Sequence, residues 1–203
     1  MVRNQILKRG VKNELVIKAM LEVPRHLFVD KGMQSQSYSD NALPLLRGQT
    51  ISQPHMVALM SEMLKIEKQH KVLEIGTGCG YQAAVLAVLC DNVYSIERIP
   101  ELAELAAENL KNAGYRVTQK TGDGTLGWPE NAPFDRIIVT AGAPEMPPSL
   151  LDQLAEGGLM VAPVGSRSVQ TLKLIQKVNG KPIVKNSYDC AFVPLIGESG
   201  WKE

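Results

Sequence analysis

Hydrophobic positions recur with a helical period at both ends of the first 65 residues, and the rhythm changes after residue 70. Over residues 4–21, Ile6, Leu7, Val11, Leu15, Ala19 and Met20 fall on one face. That spacing predicts a helix, which Gly10 splits in two and Pro24 ends. Residues 54–65 (PHMVALMSEMLK) return to the helical pattern. Pro54 stands in the first turn, where its missing N–H costs nothing, and Met56, Met60 and Met63 read as core. Between these stretches, residues 30–53 are polar and rich in Ser, Gly, Gln and Pro. A segment this long without periodicity is functional or disordered, and this one is expected to be free to cover a site.

From residue 71 onward, short apolar runs alternate with helical patterns. Strands are expected at Lys71–Ile75, Asn92–Ile96, Tyr115–Gln119, Phe134–Thr140 and 159–164. Helices are expected at 80–90, from Pro100 to a stop at Gly114, and at 148–156. Such alternation means βαβ units and a parallel sheet, with ligands bound beyond the carboxyl ends of the strands where the strand order reverses. The tail differs: Val169–Lys177 alternates, Asn179-Gly180 is a hairpin turn, and a strand-like segment follows to Leu195. The expected fold is a single α/β domain over 1–203: a doubly wound, mostly parallel Rossmann-like sheet with an N-terminal helical layer and a C-terminal antiparallel hairpin. Residues 1–65 form the helical, substrate-covering part, 71–165 the cofactor-binding core, and 166–203 the β extension.

Composition narrows the classes. A formal net charge of +1 gives no bulk attraction to nucleic acid or an acidic membrane. Cys79, Cys90 and Cys190 are odd in number and form no C-x-x-C pair, so a disulfide framework or zinc knot is not expected and a reducing compartment is. The N-terminus lacks a continuous apolar core of signal-peptide type, and no uncharged apolar run is long enough to span a membrane. The expectation is a cytoplasmic monomer with no nucleic-acid or membrane partner. His26, His55 and His70 show no ligand spacing, so no metal is expected.

The most informative stretch is Val72-Leu73-Glu74-Ile75-Gly76-Thr77-Gly78-Cys79-Gly80-Tyr81, a strand running into three alternating glycines and then a helix. Glycine permits the tight turn and lets a ligand approach the backbone, and N–H groups at a helix start can hold an anion. The dinucleotide fingerprint G-x-G-x-x-G/A fails, because its sixth position is Tyr81. A P-loop needs Gly-Lys-Ser/Thr, which is missing. Glu97 ends the second strand, where a carboxylate can accept from both ribose hydroxyls; the plain alternative is a solvated strand-end acid. Asp123 in Gly122-Asp123-Gly124 can accept from an adenine amino group, or be an ordinary Asp-Gly turn. Three such features at successive strand ends point to a nucleoside ligand. Cys79 reads as a small residue fitted to the loop rather than a thiolate nucleophile, since no histidine pairs with it.

The spacing Glu74-x-Gly76-x-Gly78-x-Gly80 resembles the first motif of class I S-adenosylmethionine methyltransferases. That resemblance implies S-adenosyl-L-methionine as cofactor, with Glu74 helping to hold its ammonium group. The cofactor site would comprise Glu74, Gly76, Thr77, Gly78, Gly80, Glu97, Arg98, Asp123 and Gly124. Val23-Pro24-Arg25-His26-Leu27-Phe28-Val29, Tyr38-Ser39-Asp40, Leu43-Pro44-Leu45 and Gly48-Gln49-Thr50-Ile51-Ser52-Gln53-Pro54-His55-Met56 extend the resemblance. With Phe134-Asp135, Gly157-Gly158, Pro163-Val164-Gly165 and Phe192-Val193-Pro194-Leu195, they resemble the protein-L-isoaspartate O-methyltransferases almost end to end. Only Gly197–Glu203 matches nothing of use.

The resemblance implies methylation of the free α-carboxylate of L-isoaspartyl residues in damaged proteins and peptides. The ester then collapses to a succinimide, and hydrolysis returns some normal aspartate. A carboxylate is already ionised at neutral pH, so no base is required. In-line positioning is required, and neutral donors suit a nucleophile whose charge disappears in the transition state. Thr50 and Ser52 meet that description as catalytic residues, and Thr50, Ile51, Ser52 and His55 are expected to bind the substrate. Ser52 also stands where serine is a favoured helix N-cap, so capping is the competing role. A methyltransferase for another small molecule or RNA is the alternative acceptor reading. The Asn/Asp-Pro-Pro-aromatic motif of many nucleobase N-methyltransferases is replaced by Thr140-Ala141-Gly142-Ala143-Pro144. A nucleoside-binding scaffold without catalysis is the alternative from another class.

Overall fold

The computed structural model describes residues 1–202. The N-terminal layer starts with a π-helical turn at Val2–Ile6 and a 3-10 turn at Leu7–Arg9, which Gly10 closes in the left-handed conformation at φ 96°. Helix α1 (Glu14–Glu22) follows, its first N–H groups capped by the Asn13 side chain. Ile6, Val11, Ala19 and Met20 are buried as the periodicity predicts, whereas Leu7 and Leu15 face outward and Val16 turns in. The break at Gly10 explains this, because a left-handed residue resets the helical phase and one stripe cannot continue across it.

Residues 30–53 are structured, contrary to the expectation of a free cover. Strand β1 (Leu43–Pro44) pairs antiparallel with β2 (Thr50–Ile51) around a turn in which Arg47 has φ 57°. Polar ties substitute for a hydrophobic stripe. Gln5 donates to the Tyr38 carbonyl at 2.9 Å, Gln53 donates to that of Asp40 at 2.8 Å, and Arg9 pairs with the Asp40 carboxylate at 3.0 Å. Helix α2 (Pro54–Met63) starts directly behind, with Pro54 at its first turn.

Seven strands form the main sheet, in the order β5-β4-β3-β6-β7-β8-β9. Central β3 (Lys71–Ile75) is buried from Val72 to Ile75, as expected for a parallel strand covered on both faces. Helix α3 (Tyr81–Leu89) is apolar nearly all round and deeply buried. Strand β4 (Asn92–Glu97) pairs with β3, and α4 (Pro100–Ala113) buries Leu102, Ala106 and Leu110 at helical spacing before Gly114 ends it. Strand β5 is Thr118–Thr121, later than predicted from Tyr115. The helix exit consumes those residues: the Tyr115 N–H returns to the Leu110 carbonyl at 2.9 Å. Strand β6 (Phe134–Val139) flanks β3 on the other side. Helix α5 (Pro148–Gln153) is shorter than expected, because β7 (Leu154–Gly165) starts early and carries an irregularity where Gly157 takes φ 75°. Strands β8 (Gln170–Val178) and β9 (Lys181–Cys190) form the antiparallel hairpin around Asn179-Gly180. The strand order reverses at β3, between β4 and β6, and a crevice opens there.

Candidate active site

A cleft lies beyond the carboxyl ends of β3, β4 and β6. Its walls include Gly76 and Gly78 of the loop, Glu97, Arg98, Ile99 and Leu102 at the β4–α4 corner, Gly124 after β5, and Thr140 after β6. Gln49 and Thr50 close one side, and Val193–Ile196 close another. The loop has the conformation that only glycine adopts readily: φ is +97° at Gly76, +56° at Gly78 and +90° at Gly80. A Cβ on Gly76 would stand 2.4 Å from the Thr140 hydroxyl oxygen, and one on Gly80 would stand 3.1 Å from Leu110 Cγ. Gly80 is thus a packing position against α4, whereas Gly76 and Gly78 face the cleft.

The Glu97 carboxylate spans the loop. It accepts from the Gly78 N–H at 2.8 Å and the Ile99 N–H at 3.0 Å. Each oxygen retains a second lone pair, so two ribose hydroxyls can still be accepted. The buried glycine loop, the acid at the second strand end and the apolar wall of Ile96, Ile99, Leu102 and Leu195 fit a nucleoside with a polar tail.

Three of the residues assigned from the sequence, Glu74, Asp123 and His55, are enclosed or engaged by the fold. Glu74 is fully buried and lines neither the cleft nor the cavity beside it. Burial pushes its carboxyl up to about 8, Ser95 opposes this by hydrogen bonding, and the charge of Glu97 adds to the rise. A Glu74–Ser95–Thr77 chain results, with 2.5 Å from the Ser95 hydroxyl to the carboxyl and 2.6 Å between the two hydroxyl oxygens. This carboxyl braces the loop from behind through Ser95 and Thr77.

Asp123 is partly engaged, with one lone pair of Oδ2 remaining. It accepts from the Thr125 N–H and hydroxyl at 2.8 and 2.7 Å, and from the Glu198 N–H at 2.7 Å. Burial opposes its charge, but these donors, with Arg98, hold the carboxyl below its ordinary range. The C-terminal tail, which the sequence left without a role, is what engages it. Trp201 anchors that tail by donating to the Gly142 carbonyl at 3.0 Å.

His55 is buried, lines no cavity described here, and has no hydrogen-bond partner on either ring nitrogen among the described residues. Burial first, then the charge of Arg9, lowers its pKa, so it is neutral at pH 7. Cys79 is buried and its thiol is pushed up to about 11 by that burial, which rules out a resting thiolate.

Thr50, Ile51 and Ser52 stand where the sequence placed them. Thr50 and Thr140 line three adjoining cavities: the cleft, a small one containing Ile51, Ser52 and Thr77, and an open groove of about 370 Å³. The groove runs from Arg9 and Asn41 past Ser52, Gln53 and Met56 to Cys190 and Phe192. Residue 53, not Ser52, is the N-cap of α2, and no side chain caps that helix. Among the described residues, the Thr50 and Ser52 hydroxyls have no hydrogen-bond partner. The capping role is therefore removed. Thr140 went unnoticed in the sequence, although its place at the end of the strand beside β3 marked it. Its hydroxyl is spent on the Ile75 and Gly76 carbonyls, at 2.9 and 2.6 Å. Among the described residues, no group of three or more His, Cys, Asp or Glu could hold a metal ion.

Comparison with known proteins fits this geometry. A family model described as protein-L-isoaspartate(D-aspartate) O-methyltransferase matches residues 1–200. A curated protein-L-isoaspartate O-methyltransferase of Geotalea uraniireducens is 57% identical over 203 residues, covering 99% of this chain and 94% of that protein. One from Methanopyrus kandleri is 52% identical, covering 95% and 88%. A solved protein-L-isoaspartate O-methyltransferase superposes with a TM-score of 0.87 at 33% identity, over 96% of this chain and 64% of that longer one. A Plasmodium falciparum structure, titled as a putative member bound to S-adenosyl-L-homocysteine, gives 0.85 at 26% identity over 96% of each. With a match along nearly its whole length and relatives above half identity, the chain belongs to the protein-L-isoaspartate(D-aspartate) O-methyltransferase family.

Proposed function

We propose that Thr50 and Ser52 receive the α-carboxylate of an L-isoaspartyl residue where the groove meets the cleft, and that the cleft holds S-adenosyl-L-methionine. The observation that carries this reading is that Thr50 lines both spaces while its hydroxyl and that of Ser52 remain unspent by the fold. Gly76, Thr77, Gly78, Glu97, Arg98 and Gly124 are the residues to hold the cofactor, which supplies a methyl group on a sulfonium centre. The protein's part is positioning. Two neutral hydroxyls orient a carboxylate without fixing its charge, which suits a nucleophile that is neutralised as it reacts. The groove is open and lined by side chains of both charges, Arg9 and Asp189. This fits a substrate recognised mainly by its altered backbone.

The enzyme is thus an S-adenosylmethionine-dependent O-methyltransferase that initiates isoaspartate repair. Its three free cysteines accord with a reducing cytoplasm, where we place it as a monomer. Among the described residues, no helix is long and apolar enough to cross a membrane. The test is methyl transfer from labelled cofactor to two peptides differing only in L-isoaspartate or L-aspartate at one position. Base-labile label on the isoaspartyl peptide alone is expected. Equal label on both peptides, or none on either, would overturn the acceptor assignment.

A further inference from the structure

Among the described residues Arg25 is the one fully buried arginine, and its partners are unusual for a buried cation. Among the described residues no carboxylate pairs with it. Its Nε donates to the Ser37 carbonyl at 2.7 Å, and Nη2 donates to the Ser52 carbonyl at 2.8 Å. The guanidinium lies over the ring of Tyr81, 4.8 Å from its centroid, and Tyr81 is the first residue of α3 behind the glycine loop. Phe28 packs edge-on to the same ring at 5.6 Å.

The two carbonyls bracket the segment carrying β1, its turn and β2, which ends at the acceptor residues Thr50, Ile51 and Ser52. One planar group thereby fastens both ends of that segment and sets it against the helix that starts at the cofactor loop. We infer that Arg25 is a positioning residue for methyl transfer, a clasp that sets the Ser52 backbone, and hence its hydroxyl, at a fixed place relative to the cofactor cleft. The inference rests on the proposed role of Ser52.

Several features favour this role over mere packing. The desolvation of an unpaired cation is costly, and packing alone would be served as well by an apolar side chain. Among the described residues Nη1 has no partner of good hydrogen-bond geometry and faces the Tyr81 side chain, so the arginine's two well-made hydrogen bonds are those to the carbonyls. A lysine would keep the charge but present a point donor, unable to reach two carbonyls in one plane while stacking on a ring. The segment is anchored by the buried side chains of Leu43 and Ile51, but its Arg9–Asp40 tie is exposed, and ties of that kind are weak.

The test compares the parent protein with Arg25→Lys, measuring kcat and KM for an isoaspartyl peptide, calorimetric affinity for S-adenosylhomocysteine, and Tm. Misplacing a reacting group by about 1 Å can cost about a hundredfold. Arg25→Lys is therefore expected to lower kcat per cofactor-binding site by about that factor, with cofactor affinity retained. A purely structural role would lower Tm and leave kcat per cofactor-binding site at the parent value below the melting range, which would overturn the inference. Should Arg25→Lys fail to fold, Tyr81→Leu removes the face that aims the guanidinium and leaves both carbonyl bonds. A smaller fall in kcat is then expected, and an unchanged kcat overturns the clasp. A parent that methylates no isoaspartyl peptide would sink the functional reading itself. An active parent matched by its variant would sink only the clasp.

Discussion

The two walls of the junction are made by different means. The cofactor wall is made by regular structure: β3 and β4 end side by side, three glycines turn the chain, and the Glu97 carboxylate binds the turn to the next helix. The acceptor wall has a two-residue hairpin for secondary structure and is held by side chains from distant positions, Arg25 and Gln53 among them. The first kind of wall is held by backbone hydrogen bonds between paired strands. The second depends for its placement on a few side-chain contacts.

The contrast can be broken first at the cofactor wall. Gly76→Ala forces a side chain into φ +97° and against the Thr140 hydroxyl. Strain of this kind costs about 1–3 kcal/mol, and S-adenosylhomocysteine binding should be lost with it, as denaturant unfolding and calorimetry would show. Glu97→Ala comes next. Losing one charge-assisted hydrogen bond to a ribose hydroxyl is worth about 1.5–3 kcal/mol, or about ten- to a hundredfold in Kd. Unchanged affinity would remove Glu97 from the site.

Glu74→Gln is the mildest change and separates support from contact. The folded carboxyl is raised from 4.5 to about 8, so its stabilising contribution is complete below the lower value and is lost as pH rises through the upper one. Parent and variant should melt alike at the acid end, and the variant should melt higher at the alkaline end. Cofactor affinity should stay the same, whereas a large loss would restore Glu74 as a ligand contact.

Legibility in the sequence followed the same division. The parallel sheet, the helix stop at Gly114 and the Asn179-Gly180 hairpin were readable because periodicity and turn chemistry are local. The place of Glu97 beside the cleft was readable for the same reason, since a strand end fixes where its side chain goes. The ties of Asp123 to Glu198 and of Glu74 to Ser95 were not, because those partners are far along the chain and nothing local announces them. The tail's hold on Asp123 depends on Trp201 meeting Gly142, a contact that only tertiary structure creates. Ser52 is the converse case: local rules allowed a cap, but the helix starts after residue 53 and no side chain caps it. Arg25 stood in a quoted motif, yet its role appeared only with both carbonyls in view.

The measurement that bears most directly on the account is Ser52→Ala, read in parallel for kcat/KM on an isoaspartyl peptide and for Tm. The Ser52 hydroxyl has no partner in the fold among the described residues, and on the proposed reading it meets the substrate, so kcat/KM should fall about tenfold or more while Tm stays at the parent value. A lowered Tm with kcat/KM intact would contradict the account and return Ser52 to a structural role.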